Sequence, residues 1–168
     1  YRIEIIDGKV NVYASAYNGF LYAYQTLRQM LPAEIYGKKA AFDADWTLPC
    51  CVIEDAPLFS YRGASLDCVR HFFSIEEVKK YISAMAVCKM NRLHWHLTDD
   101  QGFRFYSESE LEATLKGSVR HKSSFGKLKE SGSYGGYFTP EEMKEIVDYC
   151  AERFITVIPE FDIPGHTS

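Results

Sequence analysis

The chain has 168 residues, 46% of them hydrophobic and 15% aromatic, with a formal net charge of -4. That composition supports a packed core and excludes a disordered segment, while the acidic balance excludes nucleic acid and an anionic membrane surface as charge-driven partners. No uninterrupted apolar run approaches a membrane span, and the cysteines (Cys50, Cys51, Cys68, Cys88 and Cys150) contain no C-x-x-C pair, so most of them read as buried thiols rather than a zinc site or disulfide framework.

Residues Tyr1 to Val12 read as two short strands around the turn Asp7-Gly8. Phe20, Tyr24, Leu27 and Leu31 then recur at helical spacing, predicting a helix that buries this stripe and ends at Pro32. The stretch Gly37 to Asp45 is polar and loop-like, and Trp46 to Glu54 reads as a further strand. Asp55-Ala56-Pro57 breaks the chain. A boundary there makes residues 1–57 the C-terminal part of a small α/β domain, since two strands, a helix and one strand are a poor domain alone.

Beyond the boundary the rhythm changes. Tyr61 to Cys68 reads as a strand, and Ser74-Ile75-Glu76-Glu77 as a capping box. The helix it opens carries Ile75, Val78, Ile82 and Met85 on one stripe. Arg92 to Thr98 is a second strand. Thr139-Pro140-Glu141-Glu142 opens a second helix, with Thr as cap, Pro at the first helical position and acids in the first turn. Met143, Ile146, Val147, Cys150 and Phe154 form its expected buried stripe. Ile155 to Phe161 is a third strand, apolar enough to be covered on both faces.

This β-α-β-α-β order predicts a parallel sheet with right-handed crossovers. No Gly-rich phosphate loop follows a strand, which argues against a nucleotide-binding sheet. Polar residues gather just after the strands instead: Asp67, then Thr98-Asp99-Asp100, then Glu160, Asp162 and His166. In a (β/α)8 barrel that rim carries catalysis. Residues 58–168 are therefore expected to be the N-terminal part of such a barrel, incomplete because only three of its strands are present. Roughly forty residues separate the second strand from the second helix, far beyond the usual ~2–6, and their Gly132-Ser133-Tyr134-Gly135-Gly136-Tyr137 end suits an active-site wall.

Three constellations could carry chemistry. His94 and His96 alternate along a strand, so both rings share a face; they read either as part of a metal site completed by Asp99 and His166, or as hydrogen-bonded histidines in a polar interior. Asp99 and His166 come from adjacent strand ends, where a carboxylate fixes the tautomer and basicity of an imidazole, or simply pairs with it. Arg62 starts a strand that otherwise reads as buried, where an Arg must pair with an acid or grip ligand hydroxyls. The segment Arg70-His71-Phe72-Phe73 reads as a brace for the site. No G-x-S-x-G elbow supports acyl transfer.

Tyr61-Arg62-Gly63 through Asp67, Arg70-His71-Phe72-Phe73, the run Lys89 to Gly102 containing His94-Trp95-His96-Leu97-Thr98-Asp99-Asp100, and Pro159-Glu160-Phe161-Asp162-Ile163-Pro164-Gly165-His166 together resemble the family 20 glycoside hydrolases. The residues before Glu54-Asp55-Ala56-Pro57 are similar to the tail of that family's small α/β domain. The resemblance implies a β-N-acetylhexosaminidase that removes terminal N-acetylglucosamine or N-acetylgalactosamine from glycans with retention. The attacking group is the substrate's own acetamido oxygen, a known exception to the two-carboxylate scheme. In the family a consecutive Asp and Glu after the fourth strand steer the acetamido group and serve as acid–base; this chain stops short of that point and is expected to be inactive alone. By the same resemblance Arg62 binds sugar hydroxyls, Asp99 and His166 support the acid–base Glu, and neither metal nor cofactor is needed. It also implies an extracytoplasmic setting: periplasmic, secreted or lysosomal. The alternatives are a non-catalytic carbohydrate-binding piece and a metal-dependent barrel hydrolase using His94, His96 and Asp99.

Overall fold

The computed structural model describes residues 1–109 and 136–166. The chain forms two compact units, Tyr1–Ser60 with Ala86–Lys89, and Tyr61–Met85 with Met90–Ser168.

In the first unit, β1 (Arg2–Ile6) and β2 (Lys9–Tyr13) form the expected antiparallel hairpin, with β3 (Cys51–Glu54) on the other side of β1. Gly8 sits at φ +67 in the hairpin turn, a left-handed value that glycine adopts without Cβ strain. The pleat sends Ile3 and Ile5 inward, where they pack with Ala23 of helix α1 (Tyr17–Met30) and with Leu27, Met30 and Ile53. The predicted helix stripe holds at Leu27 but not at Phe20 and Tyr24, which are exposed; the line facing the sheet runs through Ala23, Leu27 and Met30. The small Ala23 lets the helix lie close on the sheet, whereas the bulky aromatics would hold it off. The predicted strand Trp46–Glu54 shortens to β3 at its end, and Ala33–Tyr36 forms a 3-10 turn that the pattern did not announce.

The second unit contains the predicted parallel sheet. Strand β4 (Gly63–Asp67) pairs with β5 (Arg92–Asp99), and β5 with β7 (Thr156–Phe161), all parallel. A two-residue β6 (Gly102–Phe103) folds back antiparallel on the end of β5. Helix α2 (Ile75–Val87) follows β4, and α3 (Pro140–Ala151) precedes β7. The predicted capping box opens α2, where Glu77 Oε2 accepts from the Ser74 amide at 2.8 Å; the predicted Thr139 cap of α3 proves to be part of a second box, its Oγ1 accepting from the Glu142 amide at 3.2 Å while Glu142 accepts from the Thr139 amide at 2.8 Å.

Strand β5 separates the two faces of this unit. Leu93, Trp95 and Leu97 are fully buried on one face, together with Val78, Ile82, Phe138, Ile146 and Cys150 in the core. His94, His96 and Thr98 alternate onto the other face. Val147 and Phe154, expected in the α3 stripe, are exposed, and β7 is largely exposed along its length rather than covered on both faces. Among the described residues β7 pairs only with β5, so its far edge and outer side chains meet no further layer. Of the cysteines, Cys68 and Cys150 are buried as expected, but Cys50 and Cys88 are exposed, and all five are free thiols. The long-loop expectation falls largely on residues 110–135, outside the described residues, as does the Gly132–Gly135 part of the aromatic segment.

Candidate functional site

The parallel strands of the second unit end at one rim, and the polar residues converge there. Asp99, the last residue of β5, has a side chain only 1% exposed. Its Oδ1 accepts from the Asp100 amide at 2.7 Å and meets His166 Nδ1 at 2.9 Å; its Oδ2 meets His96 Nε2 at 2.9 Å and also pairs with the Arg70 guanidinium. Burial pushes the Asp99 carboxyl up, but these donors and cations outweigh it and hold it below the ordinary carboxylate range. Asp99 is thus an anion with a partner on each oxygen.

His166 sits in the turn after β7, with φ 58 and a side chain 55% exposed. Its Nδ1 is committed to Asp99, so Nε2 is the nitrogen left to meet another group. The structure brings these two predicted residues together.

Arg62 is not brought to them. It immediately precedes β4, where its amide donates to Asn91 Oδ1 at 2.9 Å and its carbonyl accepts from the Asn91 amide at 2.7 Å. Asn91 directly precedes β5, and the strands run parallel in the register Gly63↔Arg92 and Asp67↔His96. Arg62 therefore lies at the opposite end of the sheet from Asp99. Five residues of strand span about 16 Å at ~3.3 Å each, beyond what an Arg side chain bridges.

The cation that does stand at the rim is Arg70. Asp67, at the end of β4, accepts from the Val69 amide at 2.8 Å and the Arg70 amide at 3.1 Å through one oxygen, and from Arg70 Nη1 at 2.7 Å through the other. Arg70 Nε reaches Gln101 Oε1 at 3.2 Å. Burial raises the Asp67 carboxyl, yet the Arg70 guanidinium and the two amides bring it below its ordinary value. The sequence marks Arg70 only as part of a brace. The Asp67-x-x-Arg70 spacing just after a strand is the signal that could have placed it in the site.

His94 and His96 turn out to be joined through Glu160. His96 Nδ1 lies 3.3 Å from Glu160 Oε2, and His94 Nε2 pairs with the same oxygen. Burial would raise the Glu160 carboxyl, but the neighbouring His96 and His94 rings hold it below its usual value. The anticipated metal set of His94, His96 and Asp99 does not form one cluster. Among the described residues, the ligand atoms close enough to share an ion are those of His96, Asp99 and Asp162, and those of Asp99, Asp100 and His166. In both, Asp99 already carries the Arg70 cation.

Arg104 was missed altogether. It is 1% exposed, and its two terminal nitrogens donate to the Val69 carbonyl at 2.9 Å and the Gly136 carbonyl at 3.0 Å, with the Phe72 ring 5.7 Å from its guanidinium carbon. It ties the loop that carries Arg70 to the residues preceding α3. An Arg two positions after Gly102 gave no periodic signal of burial.

No helix of the described residues is long and apolar enough to cross a membrane. Sequence comparison matches residues 59–168 to the catalytic domain of glycosyl hydrolase family 20 and residues 1–56 to domain 2 of that family. The chain is 41% identical to a beta-hexosaminidase of Porphyromonas gingivalis, over 99% of this chain and 20% of that protein. It is also 41% identical to a beta-hexosaminidase of Vibrio furnissii, over 99% of this chain and 26% of that one. Among solved structures, a mutant Streptomyces plicatus beta-hexosaminidase in complex with the product GlcNAc superposes with a TM-score of 0.88 at 40% identity, covering 99% of this chain and 32% of that one. The chain thus spans between a fifth and a third of the length of the relatives it matches. On the match over residues 59–168, the chain belongs to glycosyl hydrolase family 20.

Proposed function

We propose that the protein carrying this chain is an exo-β-N-acetylhexosaminidase. It releases terminal N-acetylglucosamine or N-acetylgalactosamine from glycans by the retaining, substrate-assisted route, in an extracytoplasmic setting. In this reading residues 1–57 close the small α/β domain and residues 58–168 open a (β/α)8 barrel, of which β4, β5 and β7 are the first three parallel strands. The glycan is the partner; nucleic acid has no role.

The observation that carries the reading is the Asp99–His166 pair at the strand rim, 2.9 Å from oxygen to nitrogen. The anionic Asp99 keeps the proton on His166 Nδ1 and directs Nε2 outward, where it serves as an orienting partner for an acid–base carboxylic acid. In that role the pair sets the acid's proton affinity and does not touch the scissile bond. The acetamido oxygen supplies the nucleophile, so no enzyme carboxylate of this chain is assigned to attack the anomeric carbon.

We assign the sugar-contacting cation to Arg70 in place of Arg62. Arg70 stands at the same rim as Asp99, its side chain is 48% exposed, and Asp67 and Asp99 fix its guanidinium. A planar fork held in this way offers directed donors to ring hydroxyls. Arg62, at the other end of the sheet, keeps a backbone role in joining β4 to β5.

Hydrolysis of an aryl N-acetyl-β-glucosaminide and its galactosaminide counterpart by the full-length protein tests the reading, with the first-formed anomer followed by NMR. Release of the β-anomer supports it. Absence of turnover on both substrates, or release of the α-anomer, would overturn it.

A further inference from the structure

The Asp99–His166 pair is one end of a longer alternation of imidazoles and carboxylates. From His166 the contacts run to Asp99, from Asp99 to His96 at 2.9 Å, from His96 to Glu160 at 3.3 Å, and from Glu160 to His94. The sheet builds this chain. The parallel register sets Glu160 of β7 directly beside His96 of β5, and Asp99 follows three residues along the same strand.

His96 is the hinge of the alternation. It is 5% exposed, and both of its ring nitrogens face carboxylate oxygens. An ionised carboxylate only accepts, and a neutral imidazole has one N–H, so the imidazolium is the one form that donates on both sides. The surrounding charges are Asp67 and Arg70 from the β4 side, His94 and Asp99 on its own strand, and Glu160, Asp162 and His166 from the β7 side. Arg70 shares Asp99 Oδ2 with His96, but it is His96 that links this oxygen to Glu160 of β7.

We propose that His96, backed by Glu160, is a positioning residue: as a buried imidazolium clamped between two carboxylates, it orients Asp99 so that its other oxygen receives His166. The kinetic side of this proposal rests on the hexosaminidase reading; the protonation of His96 does not.

The test is Glu160→Gln in the full-length protein, which keeps the shape and removes the charge. The expected result is a kcat lower by about tenfold, the usual cost of losing an outer partner of a functional group, with KM within about twofold and a displaced limb in the pH–kcat profile. Histidine-selective 15N NMR, with His96 assigned by His96→Gln, is expected to show both ring nitrogens protonated at pH 7 in the unsubstituted protein and one nitrogen unprotonated in Glu160→Gln. A superimposable pH profile with unchanged kcat, or an unprotonated ring nitrogen on His96 in the unsubstituted protein, overturns the proposal. If the unsubstituted protein cleaves neither substrate, the hydrolase reading fails while the NMR result still decides the state of His96.

Discussion

His166 and Asp99 are 67 residues apart in the chain, yet His166 Nδ1 and Asp99 Oδ1 lie 2.9 Å apart. The parallel pairing of β5 with β7 brings the ends of both strands to one rim, and the turn after β7 returns the imidazole over the carboxylate. Replacing His166 by Ala in the full-length protein should lower kcat by about ten- to a hundredfold, as for other groups that orient a reacting residue. One limb of the pH–rate profile should move with it. A profile that overlays the unsubstituted enzyme would remove the coupling to an acid–base group.

Arg70 and Arg62 make opposite predictions. Arg70→Ala should raise KM and lower kcat/KM by about ten- to a hundredfold, the order expected when a charge-assisted donor of ~1.5–3 kcal/mol is lost. Arg62→Ala should leave KM unchanged, because its backbone bonds to Asn91 survive the substitution. Steady-state kinetics on an aryl glycoside decides between them. A raised KM for Arg62→Ala alone would return the sugar contact to that residue.

The contrast shows what the sequence could convey. The order of strands and helices, the capping box at Ser74, the Thr139 cap and the alternation along β5 were legible, because each depends on neighbours a few residues away. The meeting of Asp99 with His166 was legible too, since parallel strands place their ends together. The choice between Arg62 and Arg70 follows from the same rule, since Arg62 precedes β4 and the Asp67-x-x-Arg70 pair follows it, but an Arg at the start of a buried-looking strand is the more conspicuous of the two. The face of α1 was misread for a related reason. Hydrophobic spacing marks an apolar stripe but does not say that small Ala23 rather than bulky Phe20 admits the closest approach. The link from His94 and His96 to Glu160 depends on the β5–β7 register, which no local pattern encodes.

Acid should destabilise the second unit through its rim. Asp67, Asp99 and Glu160 all titrate lower in the fold than their ordinary values of 3.8, 3.8 and 4.5. A carboxyl with a depressed folded value binds fewer protons folded than unfolded. Its stabilisation is complete above the ordinary value and fades as pH falls through the lowered one. On the acid side, thermal melts of the full-length protein should therefore drop progressively below about pH 4, with a smaller drop in Asp99→Asn. An Asp99→Asn melt with the same acid dependence as the unsubstituted protein would show that this carboxylate does not contribute.

The last prediction concerns the buried Arg104. A Cβ built on Gly102 would lie 2.6 Å from Arg104 Cζ and 2.7 Å from Nη2, closer than side chains pack. The guanidinium cannot swing away freely, because it is 1% exposed and bonded to the Val69 and Gly136 carbonyls. Gly102→Ala should therefore displace it and cost about 1–3 kcal/mol, the range for overpacking a filled site. Since Val69 immediately precedes Arg70, loosening that tie should also raise KM on the aryl glycoside. Gly102→Ala with an unchanged melting temperature and KM would show that the loop holds its shape without Arg104. A lowered melting temperature with KM intact would confine Arg104 to stability and separate it from the sugar-facing rim.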